Sequence, residues 1–308
     1  MAENVLVTRS LTKRYKHASA VEDVDLTIEK GQIYGLVGRN GAGKTTIIRM
    51  VTAQTLPTSG EIELFGETQA PGLQKARSRT GAMVEIPSFY PYLTAWENLE
   101  YYRRQRGIPG SGCVDRVLSM VDLAGTGKKK FKQFSLGMKQ RLGLALALMN
   151  QPELLLLDEP INGLDPEGIV EFRSILLELN RREQTTILIS SHILSELANV
   201  ATCYGFLDKG HMLEQVSAKA LAEKCRACLE LRVDDAARAA LILERELGTR
   251  DYEVLPGGVI RLYDFLDRPE KVNAALMAGG ACLYGSESKN MDLEDYFLGL
   301  IGGGVHHG

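Results

Sequence analysis

A glycine-rich segment near the amino terminus constrains the fold of this chain more than any other feature. The segment Gly38-Arg39-Asn40-Gly41-Ala42-Gly43-Lys44-Thr45 matches the pattern G-x-x-x-x-G-K-[ST]. A continuous apolar run at residues 32–37 precedes it and predicts a buried strand. Ile47, Ile48 and Val51 follow at helical spacing. A strand, a glycine-rich loop and a helix in this order begin an α/β nucleotide-binding fold.

The residue types in this loop suit the phosphates of a nucleoside triphosphate. Glycines let backbone N–H groups close around the β- and γ-phosphates, and the positive end of the following helix adds to the attraction. The Lys44 ammonium would neutralise phosphate charge, and the Thr45 hydroxyl could ligate Mg²⁺. We therefore predict an ATP site that includes Gly38, Asn40, Gly41, Ala42, Gly43, Lys44, Thr45 and Thr46.

An acidic pair completes this predicted site. Four consecutive leucines at residues 154–157 predict a second buried strand, and Asp158 and Glu159 follow directly. Strands of an α/β sheet present ligand-binding groups at their carboxyl ends, so Asp158 is placed to hold Mg²⁺. Glu159 is placed to polarise a water molecule for attack on the γ-phosphate. Taken alone, Asp158 and Glu159 could be an exposed acidic turn without a function. Their occurrence together with the glycine-rich loop argues against that alternative.

The remaining patterns divide the chain into two predicted domains. Strands and helices alternate up to residue 218, with a mostly helical part at about 77–150, which predicts a mixed sheet with a helical subdomain. From residue 219 a strand, a helix, a hairpin at residues 252–263 and a terminal helix predict a small α+β domain over 219–308.

Composition excludes several classes of protein. The net charge is −3 and the pI about 6.0, so no basic field predicts nucleic-acid binding. The five cysteines are odd in number, and we expect no disulfide framework. Cys225 and Cys228 form a single C-x-x-C pair without a neighbouring histidine, which fits incidental thiols better than a metal site. We see neither a signal-peptide pattern nor a membrane-spanning apolar run.

A third motif distinguishes among P-loop proteins. The segment Phe134-Ser135-Leu136-Gly137-Met138-Lys139-Gln140-Arg141 opens a predicted helix, with Ser135 suited to the N-cap. It resembles the signature sequence of ABC-type ATPases, although Leu136 and Met138 replace the usual Gly and Gln. Tyr15 resembles the aromatic residue that stacks on adenine in this family. Asp165 lies in a segment similar to the D-loop, and His192 matches the switch histidine that contacts the γ-phosphate.

One position departs from the family pattern. Glu85 stands where these proteins usually carry a glutamine, in a register supported by residues 93–99. A carboxylate could still ligate Mg²⁺ or contact the nucleotide, but it could not donate a hydrogen bond unless protonated. With the signature variant and the C-terminal appendage, Glu85 makes the chain similar to the bacitracin-resistance and lantibiotic-immunity branch of ABC exporters.

The resemblance implies partners. ABC-type chains pair head to tail, so that Ser135 and Gly137 of a second ATPase subunit, identical or homologous, would cover the ATP bound at Lys44. It also implies an integral membrane permease as partner, and a cytoplasmic protein peripheral on the inner face of the cell membrane. Tyr90, Tyr92 and Trp96 form an aromatic cluster suited to that contact, or alternatively to packing inside the helical subdomain.

Two other functions remain open on the sequence alone. Import motors share every catalytic motif, and only Glu85, the signature variant and the appendage favour export. A soluble ABC-type machine acting on DNA or ribosomes is the weaker alternative. The chain has one motif set rather than two, and no long coiled coil fits between Lys44 and Asp158. The sequence of an ATPase subunit does not identify the transported substrate.

Overall fold

The computed structural model describes residues 3–16, 18–84, 88–289 and 293–301. The chain divides into two compact units, Met1–Ala218 and Lys219–Gly308, here called the core unit and the accessory unit. Within the described residues, none of the helices combines the length and the apolar character needed to cross a bilayer.

Nine strands of the core unit form two sheets. They are β1 (Asn4–Tyr15), β2 (Ala18–Glu29), β3 (Ile33–Gly38), β4 (Ser59–Leu64), β5 (Thr80–Met83), β6 (Leu154–Asp158), β7 (Thr186–Ser191), β8 (Cys203–Asp208) and β9 (His211–Ser217). The larger sheet has the order β5-β6-β7-β3-β8-β9, with β9 antiparallel to β8 and the other neighbours parallel. The smaller sheet is antiparallel, in the order β2-β1-β4.

Burial along the strands explains these positions. Every residue of β3 and β7 is buried, and so are the four leucines of β6, as expected for central strands of a parallel sheet covered on both faces. Strand β2 alternates buried and less buried residues over its second half, since one of its faces joins the core. Its Val24, Leu26 and Ile28 share one hydrophobic cluster with Leu36 of β3.

Seven helices accompany these strands. They are α1 (Lys44–Val51), α2 (Ala70–Ser78), α3 (Ala95–Gln105), α4 (Gly112–Met120), α5 (Leu136–Leu148), α6 (Pro166–Glu183) and α7 (Leu194–Leu197). Helix α3 begins with a capping box, in which the Thr94 hydroxyl accepts from the Glu97 N–H and the Glu97 carboxylate accepts from the Thr94 N–H. Helix α5 is buried from Leu142 to Leu148, so this element is apolar on all sides.

The accessory unit has its own core. After α8 (Ala218–Lys224), its elements follow the succession β10 (Cys228–Val233), α9 (Ala236–Glu246), β11 (Tyr252–Leu255), β12 (Val259–Leu262), α10 (Pro269–Ala278), β13 (Leu283–Lys289) and α11 (Leu293–Ile301). The sheet order β11-β12-β10-β13, antiparallel throughout, is that of a split βαβ fold. Leu229, Leu231 and Ile260 pack against α9 and α10 residues on one face of the sheet.

The predicted fold class, an α/β cassette plus a small α+β domain, is confirmed, with local differences. Helix α7 is only four residues long, Leu194–Leu197, and α4 begins at Gly112. The sequence analysis did not predict α2, β4, β5, β8 or β9. β4 and β5 are short and lack a strong apolar period, so their strand state depends on pairing with β1 and β6.

Candidate ATP-binding and hydrolysis site

The loop between β3 and α1 adopts a conformation that requires glycine. Gly41 and Gly43 have φ angles of 82° and 110°, which residues other than glycine rarely adopt. A Cβ atom at Gly43 would lie 2.6 Å from the Ala20 carbonyl oxygen, and one at Gly38 would lie 2.5 Å from that of Leu207. The glycines are therefore needed for space as well as for φ, and they set the path of the main chain ahead of α1.

Lys44 lies at the start of α1 and is buried, with 5% of its side chain exposed. Its Nζ donates to the Gly38 carbonyl oxygen at 2.6 Å and lies 3.1 Å from Glu159 Oε1. A buried ammonium needs such partners because desolvation without them is costly. Lys44 thus joins the glycine-rich loop to the acidic pair that follows β6.

Three side chains meet where β6 and β7 end. The Thr45 hydroxyl donates to Asp158 Oδ2 at 2.7 Å, and the Ser190 hydroxyl donates to Asp158 Oδ1 at 2.7 Å. The Ser190 oxygen also accepts from the Glu159 N–H at 2.9 Å. Ser190 therefore fixes both acidic residues, a role that the sequence analysis missed. Asp158 and Ser190 are register partners in the parallel sheet, and a polar residue at the end of a neighbouring buried strand was the available signal.

Glu159 and His192 are in direct contact. His192 Nδ1 lies 2.6 Å from Glu159 Oε2, while the other Glu159 oxygen faces Lys44. Glu159 has a φ of 47°, in the left-handed region that costs a non-glycine residue energy. The bond from its N–H to Ser190 and the two side-chain contacts hold it there. The carboxylate is thus fixed between two groups that can carry positive charge.

The oxygen donors beside Lys44 fit a magnesium ion. Thr45 and Asp158 supply a hydroxyl and a carboxylate, which are hard donors of the kind that Mg²⁺ prefers. In the described part of the chain no three His, Cys, Asp or Glu side chains cluster as a ready-made metal cage. Mg²⁺ commonly takes only one or two protein ligands besides water and phosphate oxygens. Glu85, the third metal ligand expected from the sequence, lies outside the described residues.

The signature residues form a second group. Ser135 caps α5 by accepting from the Met138 N–H at 3.3 Å, as predicted. Asp165 caps α6 by accepting from the Gly168 N–H at 3.1 Å. Ser135, Gly137, Gly163 and Asp165 line one groove. The structure therefore brings the signature and D-loop segments together, at the starts of two helices.

The other expected nucleotide contacts lie on or near the loop. Asn40 and Gly41 are exposed, Ala42 is buried and Thr46 is half-buried. Tyr15 is exposed at the end of β1, where Lys13 Nζ lies 5.1 Å from its ring centroid. Cys225 is half-buried and Cys228 is buried.

The glycine-rich loop, the acidic pair and the switch histidine on a mixed α/β sheet define a P-loop ATPase of the cassette class. The family model described as ABC transporter matches residues 21–162. The bacitracin transport ATP-binding protein BcrA of Enterococcus faecalis is 43% identical over 302 residues, 98% of each chain. The BcrA protein of Bacillus licheniformis is 42% identical, again over 98% of each chain. The lantibiotic transport ATP-binding protein SrtF of Streptococcus pyogenes is 41% identical, covering 68% of this chain and 89% of its own.

Solved structures agree on the fold. An ATP-binding cassette, described as a dimer in a post-hydrolysis state bound to ADP and Pi, superposes with a TM-score of 0.62 at 24% identity. That match covers 69% of this chain and 98% of the cassette. The chain belongs to the ABC transporter ATP-binding protein family, and it is an ATP-binding and ATP-hydrolysing cassette. The resemblance to the bacitracin and lantibiotic branch is confirmed by the relatives.

Proposed function

We propose that this chain is the ATP-hydrolysing subunit of an exporter that removes a peptide antibiotic through a separate membrane permease. The observation that carries the proposal is the 43% identity to a bacitracin transport ATP-binding protein over 98% of both chains. That match spans the accessory unit as well as the cassette. The general family model ends at residue 162 and does not reach the accessory unit.

Lys44 and the glycine-rich loop would bind the triphosphate. The Lys44 ammonium is held at the start of α1, where N–H groups of the first turn have no helical acceptor. The ammonium and these N–H groups offer positive charge to the β- and γ-phosphates. Asn40, Gly41, Ala42 and Thr46 would add main-chain or side-chain contacts, and Tyr15 a ring for the adenine.

Glu159 would orient and polarise the attacking water. Its two oxygens are fixed by Lys44 and His192, so the carboxylate has one defined position beside the phosphates. The water loses its proton toward Glu159 as its oxygen bonds to the γ-phosphorus and the bond to the β-phosphate oxygen breaks. His192 would hold the carboxylate and contact the γ-phosphate.

Asp158 and Thr45 would hold Mg²⁺, with Glu85 as a further ligand. The ion, when bound with ATP, neutralises charge on the β- and γ-phosphate oxygens. Ser190 keeps Asp158 in position through its hydroxyl. The hydrogen bond of 2.7 Å from the Thr45 hydroxyl to Asp158 Oδ2 supports this assignment because it places the two oxygen donors side by side.

Hydrolysis would require two subunits. Ser135 and Gly137, at the start of α5, and Asp165, at the start of α6, would contact the ATP held by Lys44 of a second copy or a homologous ATPase subunit. We expect Glu159→Gln to give an ATP-stabilised dimer in size-exclusion chromatography. Adding Ser135→Arg to that variant should restore the monomer. A Glu159→Gln protein that stays monomeric at saturating ATP and Mg²⁺ would contradict this arrangement.

The permease contact would lie at the segment before α3, on the inner face of the cell membrane. Tyr90, Tyr92 and Trp96 expose 45%, 71% and 39% of their surface. Tyr90 packs edge-on against Tyr101, with ring centroids 4.8 Å apart, and the Trp96 Nε1–H donates to Asp115. This exposure supports a contact surface over core packing.

The export function is tested in a strain lacking this gene, grown against a panel that includes bacitracin and lantibiotics. We expect sensitivity to one peptide class, restored by the wild-type chain and not by Glu159→Gln. Co-purification should recover a permease. Loss of uptake of a nutrient, with unchanged antibiotic sensitivity, would instead indicate an import motor.

A further inference from the structure

The segment that leads into α5 carries an unusual concentration of positive charge. Residues 123–152 hold five lysines and one arginine but no aspartate or glutamate, in a chain whose net charge is −3. Four of the lysines are Lys128, Lys129, Lys130 and Lys132. This cluster plays no part in the ATP site described above.

The lysines lie directly against the exposed aromatic segment. The Phe131 N–H donates to the Leu93 carbonyl oxygen at 2.9 Å, and the Lys132 N–H donates to that of Pro91 at 3.0 Å. Lys132 Nζ lies 4.8 Å from the ring centroid of Tyr92. The main-chain bonds place the lysine segment beside the aromatic segment, and Lys132 joins them directly. The side chains of the two segments, Lys128, Lys129, Lys130, Lys132, Tyr90, Tyr92 and Trp96, are here called the basic–aromatic surface.

Most of this charge is uncompensated. Lys130 pairs with Glu97 at 3.2 Å. Lys128, Lys129 and Lys132 are exposed, and within the described ranges no carboxylate forms an ion pair with them. Lysines of like charge repel one another at this spacing, so the arrangement costs stability unless an anionic partner approaches it.

We propose that the lysines of the basic–aromatic surface bind the anionic headgroups of the membrane leaflet around the permease, which its aromatic side chains contact. The proposal rests on the proposed function, which brings this chain to the inner face of the membrane. That leaflet is negatively charged and attracts clustered lysines.

The chemistry of the surface favours lipid over an acidic segment of a partner protein. Lysine is a compact, hydrated charge on a flexible stem, which suits a diffuse layer of negative charge. A fixed carboxylate would be better matched by the rigid fork of arginine. Lys128 and Lys129 lie outside the helices and Lys132 lies in a single 3-10 turn at Phe131–Gln133, and all three side chains are exposed.

The test uses the purified full-length protein and vesicles, without the permease. Binding is measured by sedimentation with phosphatidylcholine vesicles and with vesicles that contain about 30% phosphatidylglycerol. We expect wild-type partitioning to rise at least about tenfold with the anionic lipid, and to fall again at about 0.5 M salt as charges are screened. Equal partitioning to both vesicle types would overturn the proposal.

The variant Lys128→Gln/Lys129→Gln/Lys132→Gln leaves the Lys130–Glu97 pair intact. Since each lysine near an anionic surface contributes about fivefold, we expect a loss of at least about tenfold in partitioning. Lys75→Gln/Lys219→Gln/Lys271→Gln removes the same charge from exposed positions elsewhere and should bind as wild type.

Two further readouts separate the possible failures. The triple variant should keep its ATPase rate in solution and should still co-purify with the permease. If it lost the permease while vesicle binding stayed unchanged, the lysines would serve a protein contact, and the lipid proposal would be wrong with the proposed function intact. If both triple variants lost vesicle binding to the same extent, the loss would reflect overall charge rather than this surface, and the proposal would be wrong.

Discussion

The two units of this protein use their charged side chains in opposite ways. In the core unit, Lys44, Asp158 and Ser190 follow or end the parallel strands β3, β6 and β7. In the accessory unit, Glu230 pairs with Lys289 at 2.7 Å and lies 3.7 Å from Arg261, on strands next to its own. These charges therefore compensate one another across a sheet face.

The difference follows from strand direction. Parallel strands place all their carboxyl ends at one edge, so the loops that follow them converge and can share a ligand. Antiparallel strands send successive ends to opposite edges, and no edge collects them. A cassette that must gather a lysine, two carboxylates, a serine and a histidine is therefore built on the parallel sheet.

The largest effect should come from the acidic pair. We expect Glu159→Gln to lower kcat at least about 100-fold, because general-base assistance is worth about 100- to 10,000-fold. Glu253→Gln, a matched change at an exposed carboxylate of the accessory unit, should leave kcat unaltered. The rate of phosphate release at saturating ATP measures kcat for both variants. A comparable loss of kcat from Glu253→Gln would contradict the conclusion that only the core unit supplies the catalytic carboxylate.

Core deletions in the two units test their independence. Leu156 of β6 and Leu231 of β10 are both fully buried. Either leucine replaced by alanine should lower the free energy of unfolding of its own unit by about 2–5 kcal/mol. Leu156→Ala should also reduce ATP turnover because it lies two residues from Asp158, whereas Leu231→Ala should hold kcat within about twofold. Urea unfolding measures the stability and phosphate release measures the turnover. If Leu231→Ala slowed turnover as much as Leu156→Ala does, the two units would be coupled rather than independent.

Ser190 should contribute less, and through position rather than chemistry. Ser190→Ala leaves the partly buried Glu159 N–H without its acceptor, which should cost about 1 kcal/mol of stability. We expect kcat to fall about tenfold, since both carboxylates lose their support. Ser190→Thr should recover much of the rate, while Ser286→Ala in the accessory unit should change neither property. If Ser190→Ala unfolded more easily yet kept its kcat, the serine would be structural only.

The smallest effect is a pH dependence inside the helical part of the core unit. Arg103, and then Arg104, hydrogen-bond the Glu100 carboxylate and lower its pKa to about 2. A lowered folded-state pKa stabilises the fold above the unfolded pKa of 4.5, and this contribution disappears as the pH falls toward about 2. The stability difference between wild type and Glu100→Gln should therefore be constant above pH 5 or so. It should shrink between about pH 4.5 and 2, and a constant difference there would contradict the pairing.

Much of the site could be predicted from the sequence because its motifs are contiguous. Gly38 to Thr45 fix their own loop through glycine φ values, and Ser135 and Asp165 cap the helices that they begin. Local chemistry of this kind needs no partner strand. The buried runs of β3 and β6 were equally clear, since central strands are apolar throughout.

Other features came only from the tertiary structure. Ser190 reaches Asp158 because β7 lies beside β6 in register, which no local pattern encodes. Lys132 meets Tyr92 because main-chain bonds join two segments about 40 residues apart in sequence. β4 and β5 are strands because neighbours complete their hydrogen bonds. The sequence by itself determined which groups do the chemistry, and tertiary pairing decided which side chains hold them in place and which surfaces they share.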